Sequence, residues 1–431
     1  MIRERPKRGK GFSIACRLLD KTIRGGIYSL LLFTIPCFAQ SQNLNYYLQQ
    51  GLANSPLLKD FENQVSSNSV DSQRLRATFK PQVSGIGNNS VAPLINGYGY
   101  DQVLSNIVSV NDIVNVNQAF IGRKNITTQY NGISYQSDSL RNARKMTEQD
   151  LKRTITAQYI AAYGDQQQLT FYNDVYNLLS GQGVLLKKLA QSNIYRQTDY
   201  LTFVVTLKQQ GLQLKQWQIQ YRNDKAMLNY LCGLFDTSAG ALDEPDVALQ
   251  KLPDASSSVF FYHFLSDSLK LANNISIINY SYRPKLSAFA NAGYSSSFIY
   301  DAYKNFGFAV GMSLDVPIYD GHQRALQTKK IELLKNTNTA YKDFFARQYD
   351  QQTAMLRQQL AATESLIDDI NEQVRYAQGL IDVNGKLLET GETKIADLVI
   401  AVNNYLAAKN LLTQNNISRM QIINQLNYWN R

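Results

Sequence analysis

Cysteine, histidine and long apolar runs are scarce in this chain of 431 residues, which contains 3 cysteines and 2 histidines. No cysteine and histidine cluster has the spacing of a metal site, and no glycine-rich loop has the context of a phosphate-binding turn. His322 is interpreted as a residue that decorates the start of a long helix. The sequence therefore predicts no catalytic, cofactor-binding or metal-binding residue, and we expect the protein not to be an enzyme.

The formal net charge of +10 belongs mostly to the first 39 residues. These residues hold eight of the 44 basic side chains and two of the 34 acidic ones, which leaves 36 basic and 32 acidic residues in the rest of the chain. No dense basic patch with interleaved aromatic residues remains. The composition therefore argues against nucleic-acid binding.

Residues 1–39 have the three parts of an export signal. A basic beginning is followed by an apolar run at 27–38 and by the small residue Ala39, where cleavage is possible. A signal anchor is the alternative, but the run has about a dozen residues and a membrane-spanning helix needs about 20. Cleavage after Ala39 leaves Cys232 as the only thiol, which excludes an internal disulfide. No later stretch has about 18 consecutive apolar residues, so no membrane helix is predicted in the mature chain.

Residues 283–321 are predicted to form a β-hairpin with two long arms. The first arm alternates apolar with small or polar residues, with Phe289 as an exception. In the second arm the apolar positions are Phe306, Phe308, Val310, Met312, Leu314, Val316 and Ile318. Each arm is long enough for a tilted strand to cross a bilayer, whereas a soluble strand usually has about 5 or 6 residues. The alternation alone fits either a transmembrane strand or a long soluble ribbon.

Most of the remaining chain is predicted to be helical. The long stretch after Gly321 carries a narrow apolar stripe of the coiled-coil type, and Ile395, Leu398 and Val402 continue it on a returning helix. A plain antiparallel helical bundle is the alternative for the helices taken by themselves.

The two halves of the chain match in order and spacing. The run 80–84 corresponds to 283–287, 116–122 to 316–321, Gly181 to Gly379, and Asp199 to Asp397. A duplication is typical of such matches. We therefore predict a signal peptide at 1–39, a first repeat at 40–240, a linker at 241–262 and a second repeat at 263–431. Each repeat is predicted to contain a helix, a β-hairpin and a long helical hairpin, with the first helix of the second repeat short, at about 263–282.

Two repeats provide four strands, and a sheet with free edges leaves backbone groups unpaired in hydrocarbon. Four strands cannot close alone, since the smallest outer-membrane barrels use about 8. Several copies of the chain are therefore expected to pool their strands and the helices attached to them.

The ordered set of short motifs resembles the TolC family of outer-membrane efflux proteins. The motifs are the leader, Ala53-Asn54-Ser55-Pro56, the helix end before Lys80-Pro81, the strand exit Val316-Pro317-Ile318-Tyr319-Asp320-Gly321, and Gly391 with Asp397-Leu398. The resemblance implies an α+β membrane protein, a homotrimer with a 12-stranded β-barrel and a periplasmic α-helical barrel, in the outer membrane of a Gram-negative bacterium. It also implies docking to a periplasmic membrane-fusion adaptor and an inner-membrane pump. The chain departs from the family pattern in the short helix at 263–282 and in Val116-Asn117-Gln118, which stands where a Val-Pro-Ile exit is expected.

The sequence thus predicts a channel subunit of a tripartite efflux or type I secretion system, a passive conduit from periplasm to exterior. An exported soluble helical scaffold without a membrane span is the alternative. Asp368, Asp369 and Asp382 are the candidate acidic residues of the periplasmic entrance. The adjacent pair is predicted near the turn of the second helical hairpin, and Asp382 lies further along the chain. Carboxylates at the closed periplasmic end form rings in related channels, and three copies of each crowd like charges there. A solvated helix turn is the alternative reading of these acids.

Overall fold

The computed structural model describes residues 43–100, 108–236, 240–251, 258–297 and 304–429. The predicted export signal at 1–39 lies outside the described residues. The described chain is mostly helical and contains one four-stranded antiparallel sheet. The predicted combination of long helices with β-hairpins is therefore confirmed.

The elements follow one another in an order that occurs twice. Helices α1 (Leu44–Asn54) and α2 (Pro56–Thr78) precede strands β1 (Gln82–Val91) and β2 (Val108–Phe120) and helices α3 (Arg123–Gln191) and α4 (Gln197–Leu231). Helix α5 (Val259–Ser281) precedes strands β3 (Lys285–Ser296) and β4 (Phe306–Asp315) and helices α6 (Gln323–Thr390) and α7 (Ile395–Trp429). Helices α3 and α6 have 69 and 68 residues, and α4 and α7 have 35 each.

The start of α5 lies within the predicted linker, at Val259 and not at His263. The side chain of Ser258 caps the helix by accepting a hydrogen bond from the Phe260 amide at 3.3 Å. Phe260 is buried and its ring lies 5.2 Å from that of Trp429. The contiguous apolar run at 259–262 shows no helical period, so sequence alone placed the boundary too late. With this start α5 has 23 residues, as many as α2, and the first half differs by the additional helix α1.

The helix ends follow from ordinary capping chemistry. Asn43 accepts a hydrogen bond from the Tyr46 amide at 2.9 Å and so begins α1. Ser55 accepts one from the Leu58 amide, and Pro56 occupies the first position of α2, where its missing N–H costs nothing. Helix α6 ends where Gly391 adopts a left-handed conformation with φ of 76°.

The sheet has the strand order β1-β2-β3-β4, with every pair antiparallel. Successive residues of a strand point to opposite faces, and register partners on neighbouring strands share a face. One row consists of Val83, Val116, Ala290 and Val310, and the next row consists of Ser84, Asn115, Asn291 and Ala309. The face that holds Val310 is mostly apolar, with Asp112 as an exception. The opposite face is mostly polar or small, with Ile86, Ile113 and Phe289 as exceptions.

The apolar face is not covered by the helices of the described residues. Phe308, Val310 and Met312 are 83%, 74% and 72% exposed. A soluble ribbon packed on its own core would bury these side chains. The exposure removes that interpretation of the hairpin.

Phe289, the exception to the predicted alternation, points to the polar face. Its ring lies over Gly311 of the neighbouring strand, where an added Cβ atom would be 2.6 Å from Cζ of Phe289. The absent side chain at Gly311 leaves the space that the aromatic ring fills. The ring thus packs against the sheet itself.

The long helices pack as antiparallel pairs, α3 with α4 and α6 with α7. A core at one end of the helices joins all four, and its fully buried members include Leu179, Phe203 and Leu388. A second core joins α1 to α3 and α4 and includes Tyr47, Tyr159 and Cys232. The described connection 240–251 is attached to these helices by Tyr221, whose hydroxyl donates to the Gly240 carbonyl at 2.6 Å.

Gly164 of α3 allows a close approach to α7. A Cβ atom added there would lie 2.1 Å from Cδ1 of Ile417, whereas one added to Gly181 of the same helix meets nothing within 4 Å. We expect Gly164→Ala to lower the free energy of unfolding by about 1–3 kcal/mol through overpacking. Gly181→Ala is the matched control and should raise it by about 0.5–1 kcal/mol through reduced backbone entropy.

Thermal or denaturant unfolding of the full chain in detergent measures both changes. The double variant Gly164→Ala with Ile417→Ala should recover part of the loss, because the colliding atoms are gone. Equal effects of the alanine substitutions at Gly164 and Gly181 would show that the two helices do not meet at Gly164.

Candidate functional site

None of the described helices combines the length and the apolar character needed to cross a membrane. Among the described residues, no group of three or more His, Cys, Asp or Glu side chains is placed to hold a metal ion. The features that remain to be examined are the ends of the two helical hairpins, the acidic residues and the sheet.

The predicted acidic residues all lie on α6, but not where the sequence placed them. Asp368 and Asp369 precede the end of α6 at Thr390 by six helical turns, about 33 Å, and Asp382 precedes it by about 12 Å. The prediction that the adjacent pair lies near the turn was wrong, because the buried stripe of α6 continues to Leu388 and only Gly391 ends the helix. All three carboxylates are exposed, and Asp382 accepts a hydrogen bond from Gln378 at 3.1 Å.

The ends of the two helical hairpins are joined within one chain by Tyr195. This residue lies between α3 and α4, and its hydroxyl is 3.1 Å from the Leu388 carbonyl and 3.0 Å from the Thr393 carbonyl. Burial raises the pKa of the Tyr195 phenol above its ordinary value. We call the segments 189–199 and 387–397 together the helical tip. Sequence reasoning missed Tyr195. The feature of the sequence that could have identified it is an aromatic residue in the break between two long helices.

Acidic residues do occur at the helical tip, at other positions than predicted. Asp199 and Asp397 lie in the first turns of α4 and α7, where Asp199 is half-buried and Asp397 is exposed. The positive end of the helix dipole favours a carboxylate there. Glu389 and Glu392 flank the turn of the second hairpin and are also exposed.

A pair of carboxyl groups lies between α3 and α4, far from the helical tip. Asp224 accepts hydrogen bonds from Gln158 at 3.1 Å and from Gln220 at 2.7 Å. The neighbouring Asp165 has a buried Oδ2 that receives no hydrogen bond from an amide or hydroxyl group of the described residues. Burial, followed by the hydrogen bond and the charge of Asp224, raises the pKa of Asp165 to about 8.

The two carboxyl groups share one proton at neutral pH. Burial by itself raises the pKa of Asp224, but the hydrogen bonds from Asp165, Gln158 and Gln220 together lower it by more. Asp165 is thus the protonated member and donates to an ionised Asp224. Sequence reasoning had no means of pairing these residues, which belong to different helices.

The pair predicts a decline in stability with rising pH. The folded chain holds a proton on Asp165 up to about pH 8, whereas the unfolded chain releases it near the usual pKa of 3.8. Folding therefore binds a proton in this window, and stability falls as pH rises through it. Asp165→Asn should make the melting temperature of the detergent-solubilised protein less dependent on pH between about 4 and about 8.

Asp382→Asn removes an exposed carboxylate and is the matched control, for which we expect the wild-type pH profile. Identical pH profiles for the wild type and Asp165→Asn would rule out the shared proton.

Comparison with known proteins identifies the fold. No protein-family model and no curated protein matches the chain. Solved structures do match it. The outer-membrane channel OprN has a TM-score of 0.72 and 11% identity, with 90% of each chain covered. The outer membrane protein VceC from Vibrio cholerae has a TM-score of 0.71 and 13% identity, with 90% of this chain and 96% of that chain covered. CusC has a TM-score of 0.72 and 12% identity, with 90% and 92% covered.

Similarity at these identities establishes the fold and leaves the function to be argued from the site. The sequence resemblance to the TolC family is confirmed at this level: the chain has the fold of the outer-membrane channels that include OprN, VceC and CusC.

Proposed function

We propose that this chain is one subunit of a homotrimeric outer-membrane channel that conducts substrates passively from the periplasm to the exterior. The observation that carries the proposal is the sheet. Its apolar face is uncovered, and β1 and β4 are its edge strands. In hydrocarbon each unpaired backbone group costs several kcal/mol, so the edges require strands from other copies. Three copies of four strands give a barrel of 12, within the range of bacterial outer-membrane barrels, which have about 8 to 26 strands.

The polar face of the sheet supports a water-filled interior. Asn115 and Asn291 are register partners on this face, and Ser84 and Ala309 extend the row to the edge strands. Side chains of this kind keep a pore wet, whereas apolar constrictions dewet. Closure with the apolar face outward turns this row into a ring around the lumen.

The exposed faces of the long helices support the same assembly. Apolar side chains at steps of four and seven remain uncovered on α4, where Leu201, Val205, Leu212 and Ile219 are 53%, 66%, 63% and 62% exposed. Tyr376, Leu380 and Val383 of α6 are 64%, 49% and 55% exposed. Steps of this size form a coiled-coil seam. Contact between α4 of one copy and α6 of the next would close the helices into a tube.

The two halves are best explained as repeats of one unit. Equal helix lengths, paired hairpins, and Asp199 and Asp397 at the same helical positions support the duplication. The boundaries that we propose are 40–240 for the first repeat and 263–431 for the second, with α5 reaching back into the linker to Val259.

The proposed role involves no bond-making chemistry. Energy and substrate choice would come from an inner-membrane pump, which a periplasmic adaptor connects to the channel. The long helices would lie in the periplasm, and the helical tip would be the entrance. Asp382 is the candidate closest to this entrance, and Asp368 and Asp369 would lie further inside the tube or between subunits. Two of the similar structures support a conduit: that of CusC, which concerns transmembrane channel formation, and that of the outer membrane channel MtrE from Neisseria gonorrhoeae in its open state.

A pair of arginine substitutions on adjacent residues tests the orientation of the sheet. Val310 belongs to the apolar face and Ala309 to the polar face of β4. We expect Val310→Arg to abolish outer-membrane assembly, because a cation at the middle of the bilayer costs about 2–4 kcal/mol per chain. Ala309→Arg is the matched control and should assemble with altered conductance, since its side chain faces water.

Trimer yield in the outer-membrane fraction and single-channel conductance in planar bilayers are the measurements. Equal yields for both variants would refute the assigned faces. Recovery of the wild-type chain in the soluble periplasmic fraction without detergent would favour the exported scaffold over the channel.

A further inference from the structure

A cavity of about 670 Å³ lies where the central strands meet the helices. It is a wedge between the start of α3 and the end of α5, next to the end of β2 and the start of β3. Apolar side chains form part of its wall, and four cationic side chains surround it. The apolar residues are Phe120, Ile121, Ile277 and Leu286, and the cationic ones are Arg123, Lys124, Arg283 and Lys285.

The charge of this pocket is uncompensated by its lining. No aspartate or glutamate is among the residues that line it. The guanidinium of Arg283 lies 4.5 Å from the ring centre of Tyr280, which holds it at the rim. An apolar wall surrounded by cations fits a ligand with an anionic head and a hydrocarbon tail.

The backbone at the start of α3 adds to this preference. Its N-cap residue Gly122 has no side chain to cap the helix, and the first turn contains no acidic residue. The corresponding start of α6 is capped by Asp320, whose carboxylate accepts hydrogen bonds from the His322 and Arg324 amides at 2.9 Å each. The second repeat thus supplies its own anion, whereas at the same place the first repeat has Ile121 and the open pocket.

The position of the pocket identifies the ligand. In the channel proposed above, the change from strand to helix marks the boundary between the hydrocarbon and the periplasm. The pocket lies beside the ends of the central strands β2 and β3, away from the edge strands at which copies of the chain would meet. It therefore stays accessible from the lipid after assembly, at the depth of the phosphate groups of the periplasmic leaflet.

We infer that this pocket binds one anionic phospholipid of the inner leaflet of the outer membrane, with the phosphate held by Arg123 and Arg283 and an acyl chain on Phe120 and Leu286. The inference rests on the proposed function. Each cation near an anionic membrane surface contributes about 1 kcal/mol, which is about a fivefold change in affinity.

The test compares two double variants of the full-length protein with the same loss of charge. Arg123→Gln with Arg283→Gln removes two cations of the pocket. Lys80→Gln with Lys330→Gln removes the counterpart of Arg283 in the first repeat and a cation near the start of α6, both outside the pocket. The purified proteins are titrated with phosphatidylglycerol in detergent, and bound lipid is counted by native mass spectrometry.

We expect the pocket variant to bind phosphatidylglycerol at least about tenfold more weakly than the wild type, and the control variant to bind like the wild type. Phosphatidylcholine should bind weakly to all three. Equal loss in both variants, or none in either, overturns the inference. Displacement of the lipid by inorganic phosphate alone would assign the site to a free anion and overturn the lipid assignment.

Assembly is measured separately, so that the two proposals fail in different ways. A wild-type chain that neither trimerises nor enters the membrane fraction refutes the channel. A trimer whose lipid binding ignores the pocket refutes only the lipid site. If the double variant does not fold, Arg283→Gln alone replaces it, with Arg283→Lys expected to restore binding.

Discussion

The main constraint on this molecule is that backbone hydrogen bonds cannot be left open in hydrocarbon. The sheet satisfies its central strands within one chain, since β2 and β3 each pair on both sides. Its edge strands β1 and β4 each have one side without a partner strand among the described residues. The exposed apolar face is unfavourable in water as well. A single copy is therefore unfavourable in either solvent, which supports the assembly of several copies in the proposed channel.

The long helices meet a different requirement, which is to bury their apolar stripes. Long helices with a narrow buried stripe cannot enclose a core of their own, so α3 pairs with α4 and α6 pairs with α7. Gly164 lets α3 approach Ile417 of α7 closely, and Tyr195 ties the two hairpins at their ends. The helices of one chain are thus held to each other at two heights, while Val205 and Val383 remain available on the outer sides.

Sequence reasoning recovered features that depend on local periodicity. Alternation at Phe308, Val310 and Met312 predicted strands with one apolar face, and the matched halves predicted the order of elements. It failed where a boundary depends on tertiary contacts. Val259 starts α5 because Phe260 packs against Trp429, a residue far away in the chain. Asp368 was placed near a turn because nothing local reveals that the stripe of α6 continues to Leu388. The carboxyl pair of Asp165 and Asp224 was missed for the same reason.

The hydroxyl of Tyr195 has a consequence for how such a tube could widen. It connects both hairpins of one polypeptide. The ends of the two hairpins at the helical tip are therefore expected to move together. In the proposed trimer, an aperture made of three such pairs of hairpins would widen along the lines between neighbouring polypeptides. The energy barrier to dilation then resides in the seams between molecules and not inside any one of them.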